Sequence, residues 1–212
     1  MKNKKKQISQ KLQVREDNER RIMAAAEIIF AEQGYKGSTT KRIAELAGIP
    51  KANLHYYFST KEELYRRVLD DILQEWLHAA DTFDDSDDPV KALTDYIHAK
   101  MNLSRARPNA SKIWASEIMQ GAPVIQQHLE TTLREWIESR EVCLQKWVKA
   151  GKLRSTNMRS LFYMIWATTQ HYADFGHQIK TLNNGEPFSN SQFENAKKEV
   201  TEIILRGIGA IK

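Results

Sequence analysis

The sequence predicts an all-α chain, a short basic module of small helices followed by a larger helical body. Three observations carry that prediction. Apolar residues recur at helical spacing nearly throughout, with no alternating strand pattern and no repeat of fixed period. Capping residues, glycines and prolines punctuate the pattern at intervals that suit helices. Charge is divided unevenly: residues 1–61 hold 13 Lys/Arg against 6 Asp/Glu, whereas residues 62–212 hold 19 against 21. At 212 residues the chain can bury a core without covalent staples.

The elements follow in order. Ile22, Ala25, Ala26, Ile29 and Phe30 form one face of a first helix, which Gly34 closes as a C-cap glycine. Thr39 or Thr40 opens a short helix through Ala47, Gly48 turns the chain, and a second short helix runs from about Pro50 to Tyr57. Thr60 and Glu63 form a capping box that starts a long helix carrying Leu64, Val68, Ile72, Trp76 and Phe83 toward the acidic break "DDSDDP". Further helices are expected at about Val90–Arg105, Ala110–Gln120, Val124–Ala150, Asn157–Lys180 and Ser191–Arg206. The domain reading is a basic flexible arm at 1–16, a helix-turn-helix module at 17–61 and a helical body at 62–212.

Composition narrows the function classes. The single cysteine, Cys143, excludes an internal disulfide and sits in a helical apolar pattern, as a small core residue does. A reducing, cytoplasmic setting fits. No run of 18 apolar residues is present, and no apolar segment follows the basic start "MKNKKKQISQK", so neither a membrane helix nor an export signal is expected. A basic first third on a slightly acidic body points to a polyanion partner for that third alone. For Lys2 to Lys11 the alternative of a solubilising tail stays open.

The segment "TTKRIAELAGIPKANLHYYF" holds two short helices around a glycine turn, with Ile43, Ala44, Leu46, Ile49 and Leu54 placed to pack on one another. Lys41, Lys51, Asn53, His55 and Tyr56 fall on or near the outward side, where a second helix can enter the major groove of duplex DNA. Extended to "STKEELY", the stretch resembles the DNA-binding pattern of the TetR family of one-component repressors. "EIMQGAP", "WVKAGKL" and "MIWATTQHYADF" carry the likeness through the body, toward the family's pyrimidine-utilisation regulators. The resemblance implies an N-terminal helix-turn-helix DNA-binding module joined to a C-terminal ligand-binding and dimerisation domain, with double-stranded operator DNA, a small effector and a second copy as partners. It implies phosphate contacts for Thr40 and Lys61, and a base-reaching position for Lys41. Base-facing positions follow for Lys51, Ala52, Asn53 and His55, and groove or phosphate contacts for Tyr56 and Tyr57. Leu54 and Phe58 match core positions. His55 departs from the apolar or tyrosine residue more usual there, which leaves the operator sequence open.

Rival chemistries find weaker support. "EWLH", from Glu75 to His78, has the spacing of a carboxylate-bridged metal bundle, but the only companion is "DYIH", from Asp95 to His98, with a shorter acid. His171 and Asp174 lie three residues apart without an evident third ligand. No nucleophile elbow or glycine-rich phosphate loop is present, so no enzyme, metal or cofactor is expected. An architectural nucleic-acid protein without an effector remains the alternative.

In "MIWATTQHYADF", residues 164–175, polar groups interrupt an otherwise buried-looking helix. Phe162, Trp166, Gln170 and Asp174 share a side at i to i+4 spacing and are read as a ligand strip: an indole wall, and an amide with both a donor and an acceptor. Such a strip suits a small planar heterocycle with alternating N–H and C=O; the alternative, that Trp166 and Gln170 complete the core, stays open. The family resemblance implies uracil or thymine and adds Trp76 as a further wall. Leu161, Phe162, Met164, Ile165 and Trp166, with Phe193, Val200, Ile203 and Ile204, are expected to build an intermolecular four-helix bundle.

Overall fold

The chain folds as α1 (Lys2–Gly37), α2 (Thr40–Ala47), α3 (Lys51–Tyr57), α4 (Lys61–His78), α5 (Pro89–Ala106), α6 (Pro108–Met119), α7 (Gln126–His128), a π-helical turn (Leu129–Leu133), α8 (Arg134–Lys149), α9 (Met158–Asp174), α10 (Gly176–Leu182) and α11 (Asn190–Gly207). This computed structural model describes residues 2–79, 83 and 86–212, with backbone alone for residues 2–9 and 11. Asp84 and Asp85 of the acidic break, and the side chains of Lys2 to Lys6 and Lys11, lie outside the described residues. Among the described residues no helix is long and apolar enough to cross a membrane.

Local chemistry sets the amino-terminal module. The expected face of Ile22, Ala25, Ala26, Ile29 and Phe30 is buried, and Gly34 bends α1 with φ 67° and ψ 170°, a conformation open to glycine alone. The helix runs back to Lys2, so the basic arm is continuous with it. Thr39 caps α2 by accepting from the Arg42 N–H. Gly48 then turns the chain with φ 64°, and a Cβ there would stand 2.7 Å from Nη2 of Arg21, whose guanidinium donates to the Gly48 carbonyl at 3.0 Å. Thr60 accepts from Glu63 N at 3.0 Å to start α4, while the Glu63 carboxylate accepts from Ser59 N at 2.9 Å.

Two apolar cores result, and the first is not confined to the module. Leu64 to Leu73 of α4, and Ala110, Ile113 and Trp114 of α6, pack with the α1–α3 residues. Glu117, 2% exposed at the end of α6, fixes the join. It accepts from Tyr65 Oη at 3.2 Å and from the N–H groups of Val124 at 2.6 Å and Ile125 at 3.3 Å, which is how a buried carboxylate is made tolerable. The second core is built by α5, α8, α9 and α11 around Phe83, Tyr96, Trp147 and Phe162.

The sequence expectations need five corrections. The long helix ends at His78, and Phe83 lies beyond it in the second core. The helix expected from Val124 begins at Gln126 and contains a π turn. The helix expected to run to Lys180 stops at Asp174, because Phe175 leaves helical geometry (φ −109°, ψ 26°) ahead of Gly176, whose helical propensity is poor. Leu46 is 50% exposed, whereas Ile43, Ala44 and Leu54 are buried as expected. Leu161, Phe162, Ile165, Phe193 and Ile204 are buried in the chain's own second core and do not await a partner. Of the residues expected at a partner interface, Met164 and Ile203 do point outward, with Tyr163 on α9 and Phe175 just beyond it.

Candidate DNA-binding face and aromatic cavity

The candidate recognition face is assembled by α2 and α3. Lys41, Lys51, Ala52, Asn53, His55 and Tyr56 are exposed, Tyr56 at 75%, while Leu54 and Phe58 anchor the helix beneath them. Thr40, the first residue of α2, is half-buried beside its cap. Tyr57 is turned toward α1, its hydroxyl accepting from Asn18 Nδ2 at 3.2 Å. Lys61 is also engaged within the chain: Nζ donates to the carbonyls of Tyr35 at 2.7 Å and Ser38 at 3.0 Å and lies 4.4 Å from the Tyr35 ring centre. It therefore closes the end of α1, a role the sequence reading did not assign to it.

A cavity of about 50 Å3 lies where α4, α5, α6, α8 and α9 converge. Trp76, Trp166 and Gln170 line it, as the sequence grouped them. Sequence reasoning missed Trp114, Trp136, Tyr96 and Lys100, which share it, with Leu73, Leu77 and Leu133 completing the walls. The overlooked signal is on α5, where Lys100 occupies a place in the buried stripe of Leu93, Tyr96, Ile97, Met101 and Ser104. Trp76 and Trp114 meet with ring centres 5.3 Å apart, and Trp166 Nε1 donates to Tyr96 Oη at 2.7 Å. Nε1 of Trp136 is buried without a protein partner, and among the described residues Gln170 makes no hydrogen bond.

Asp174 does not line the cavity. It accepts from Ser111 Oγ at 2.6 Å, and burial pushes its carboxyl above the usual range while that bond and the charge of Lys100 pull it down. Lys100 is 3% exposed, with Nζ 3.8 Å from the Trp76 ring centre. Burial lowers its pKa from 10.5 to about 7, opposed by the charge of Asp174. The indole face supplies part of the lost solvation.

One ion cluster joins this body to the recognition module. Arg107, between α5 and α6, reaches Glu27 of α1 at 2.6 Å and Asp71 and Glu75 of α4 at 3.0 and 2.5 Å. Burial disfavours its charge, but the hydrogen bond and charge of Glu27, with Glu75 and Asp71, raise its pKa above the ordinary arginine value. An open groove of about 520 Å3 runs beside it between α1 and α4, walled largely by charged side chains and less suited to a small apolar ring. Among the described residues no three His, Cys, Asp or Glu side chains form a metal cluster. Glu75 is held by Arg107 and Asp95 by Lys91.

Comparison with known proteins agrees with this arrangement. Residues 22–68 match the family model "Bacterial regulatory proteins, tetR family", and residues 69–211 match "YcdC-like protein, C-terminal region". The chain is 38% identical over 187 residues, 88% of each chain, to the HTH-type transcriptional regulator RutR of Escherichia coli strain K12. Its fold is similar to the ketosteroid transcriptional regulator KstR2 of Mycobacterium tuberculosis (TM-score 0.72, 22% identity, 89% and 94% of the two chains). It is similar also to the TetR family regulator PfmR of Thermus thermophilus (TM-score 0.71, 19% identity, 89% and 95%).

The depressed Lys100 pKa makes a stability prediction. Between about pH 10.5 and pH 7 the unfolded chain binds the lysine proton and the folded chain resists it, so this group's penalty on folding grows as pH falls through that window and is constant below it. Lys100→Met is therefore expected to raise the melting temperature by several degrees at pH 6, with the gain shrinking steadily from pH 7 to pH 10. Thermal melts across that range check it; a gain independent of pH contradicts it.

Proposed function

The chain belongs to the TetR family of bacterial transcriptional regulators, and from that membership we propose a repressor that binds a pseudo-palindromic operator as a homodimer and is released by a small planar effector of the pyrimidine type. The observation that carries the effector part is the convergence of Trp76, Trp114, Trp136, Trp166, Lys100 and Gln170 on one cavity. Indoles sandwich a flat ring, and Gln170 supplies a donor and an acceptor to its edge. The likeness to RutR supports a pyrimidine base, uracil or thymine, as the first effector to try.

Release follows from which helices the effector touches. A ring entering the cavity bears on the Trp76 and Trp114 indoles, and so on α4 and α6 together. Both helices pack on α1 in the first core, and Glu75, beside Trp76, is bound by the guanidinium that also holds Glu27 of α1. A shift of α4 thus re-aims the recognition face. In a dimer, two such faces must stand about 34–36 Å apart, or a multiple of it, to enter successive major grooves, and a tilt that spoils this spacing weakens binding. A coupling of about 1–3 kcal/mol gives a 5–150-fold response. Lys51, Asn53 and His55 are assigned to bases, with Lys41 also within base reach, while Thr40 and Tyr56 are assigned to phosphate or groove.

For the dimer we assign the outward face of α9 and α11, where Met164, Val200 and Ile203 lie with Phe175 at exposed or half-buried positions. Paired with the same face of a second copy they make an isologous helical interface.

Two experiments test this reading. Selection of bound fragments from a genomic library is expected to return pseudo-palindromes, with uracil lowering operator affinity at least fivefold. Equal binding to unrelated sequences, unmoved by uracil or thymine, would instead describe an architectural protein. Ile203→Glu is expected to yield a folded monomer by sedimentation; an unchanged dimer would place the interface elsewhere.

A further inference from the structure

The polar groups of the cavity are not balanced between donors and acceptors. Lys100 Nζ can only donate while charged, and it is held over the Trp76 face in a wall 3% exposed. Trp136 Nε1 is a buried donor with no protein partner. Tyr96 Oη already accepts from Trp166 Nε1, so its own proton is what it has left to give. Gln170 alone brings a carbonyl acceptor, and it brings an N–H2 as well. Donors therefore exceed acceptors among the lining side chains.

We infer that Lys100 sets effector choice: the cavity selects a planar ring with more acceptors than donors on its edge, turning a carbonyl or an anionic ring nitrogen toward the Lys100 ammonium. A ring carrying an amino group there is rejected. The chemical class is the cyclic imide or its conjugate anion. An imide edge meets the unpaired donors with carbonyl oxygens and offers its N–H to the Gln170 carbonyl. An amino group at the same place sets donor against the charged Lys100 donor, leaving two buried groups unsatisfied beside the aromatic walls. Sites built to hydrogen-bond a ligand discriminate far more strongly than apolar pockets for this reason. The charge acts in the same direction, since Asp174, the carboxylate whose charge bears on Lys100, is bonded to Ser111 and does not line the cavity, which leaves an acceptor on the ligand as the ammonium's counterpart inside it.

This inference rests on the effector reading above, and its test separates the two. Titration calorimetry of the full chain at pH 6, where the Lys100 side chain is charged, with uracil, cytosine and barbiturate compares two carbonyls, an amino substitution and an anionic tricarbonyl ring. Uracil and barbiturate are expected to bind at least tenfold more tightly than cytosine. Lys100→Met is expected to bring the three within about threefold of one another, and Trp136→Phe, which keeps the ring and deletes its donor, to weaken uracil several-fold while cytosine changes little. If Lys100→Met does not fold, the wild-type ratio and the Trp136→Phe comparison still decide. Equal affinity of the wild-type chain for uracil and cytosine, or a tenfold preference that survives in Lys100→Met, overturns the role of Lys100 and leaves a ring-binding cavity in place. Failure of all three rings to bind the wild-type chain overturns the effector reading with it.

Discussion

Arg107 ties the body to the recognition module by charge, alongside the apolar core that the two share. It leaves the body at the α5–α6 junction and is bound by Glu27, Asp71 and Glu75, one carboxylate of α1 and two of α4. Three anions so close would repel one another without it, so the guanidinium both fixes α4 against α1 and makes that arrangement depend on where α6 begins. A planar fork with several donors can serve three carboxylates at once; an ammonium could match the charge but not the geometry. Such a cluster contributes less to stability than its contact list implies, because its members are partly solvated. Its importance lies in position: it is a tie whose geometry changes if α4 and α6 move apart.

The cavity stands on the other side of the same two helices. Trp76 and Trp114 touch across it, from α4 and α6. In the proposed reading, effector binding and recognition-face placement bear on one helix pair, and a ligand can shift that pair only through differential affinity for its two arrangements. Glu117 and Tyr65 form a second bond between α6 and α4 farther along.

Much of the fold was legible in local chemistry. Thr39, Gly48 and Thr60 occupy the cap and turn positions their residue types prefer, and the buried face of α1 follows from the spacing of Ile22, Ala25, Ala26, Ile29 and Phe30. Periodicity was less informative about which apolar residue faces which neighbour. Ile165 and Ile204 have the composition of an interface yet lie in the chain's own core, while Met164 and Ile203, one position away, point outward. For the cavity, a strip along one helix identified Trp166 and Gln170, because i to i+4 spacing is a local property. Lys100 and Trp136 come from helices whose approach is set by tertiary packing, and a lysine within an apolar stripe reads as an ordinary snorkelling side chain until its surroundings are known. Arg107 was invisible for the same reason, its three partners lying 32 to 80 residues away in sequence.

Coupling between the cavity and the recognition face through Arg107 is the central claim, and operator affinity of Arg107→Gln with and without saturating uracil measures that coupling directly. Glutamine keeps a polar, planar group of smaller reach and removes the charge that gathers the three carboxylates. Uracil is expected still to bind within about threefold of its wild-type affinity, while its effect on operator affinity falls from at least fivefold to twofold or less. A variant that binds uracil normally and still releases the operator as the wild-type chain does would contradict the claim.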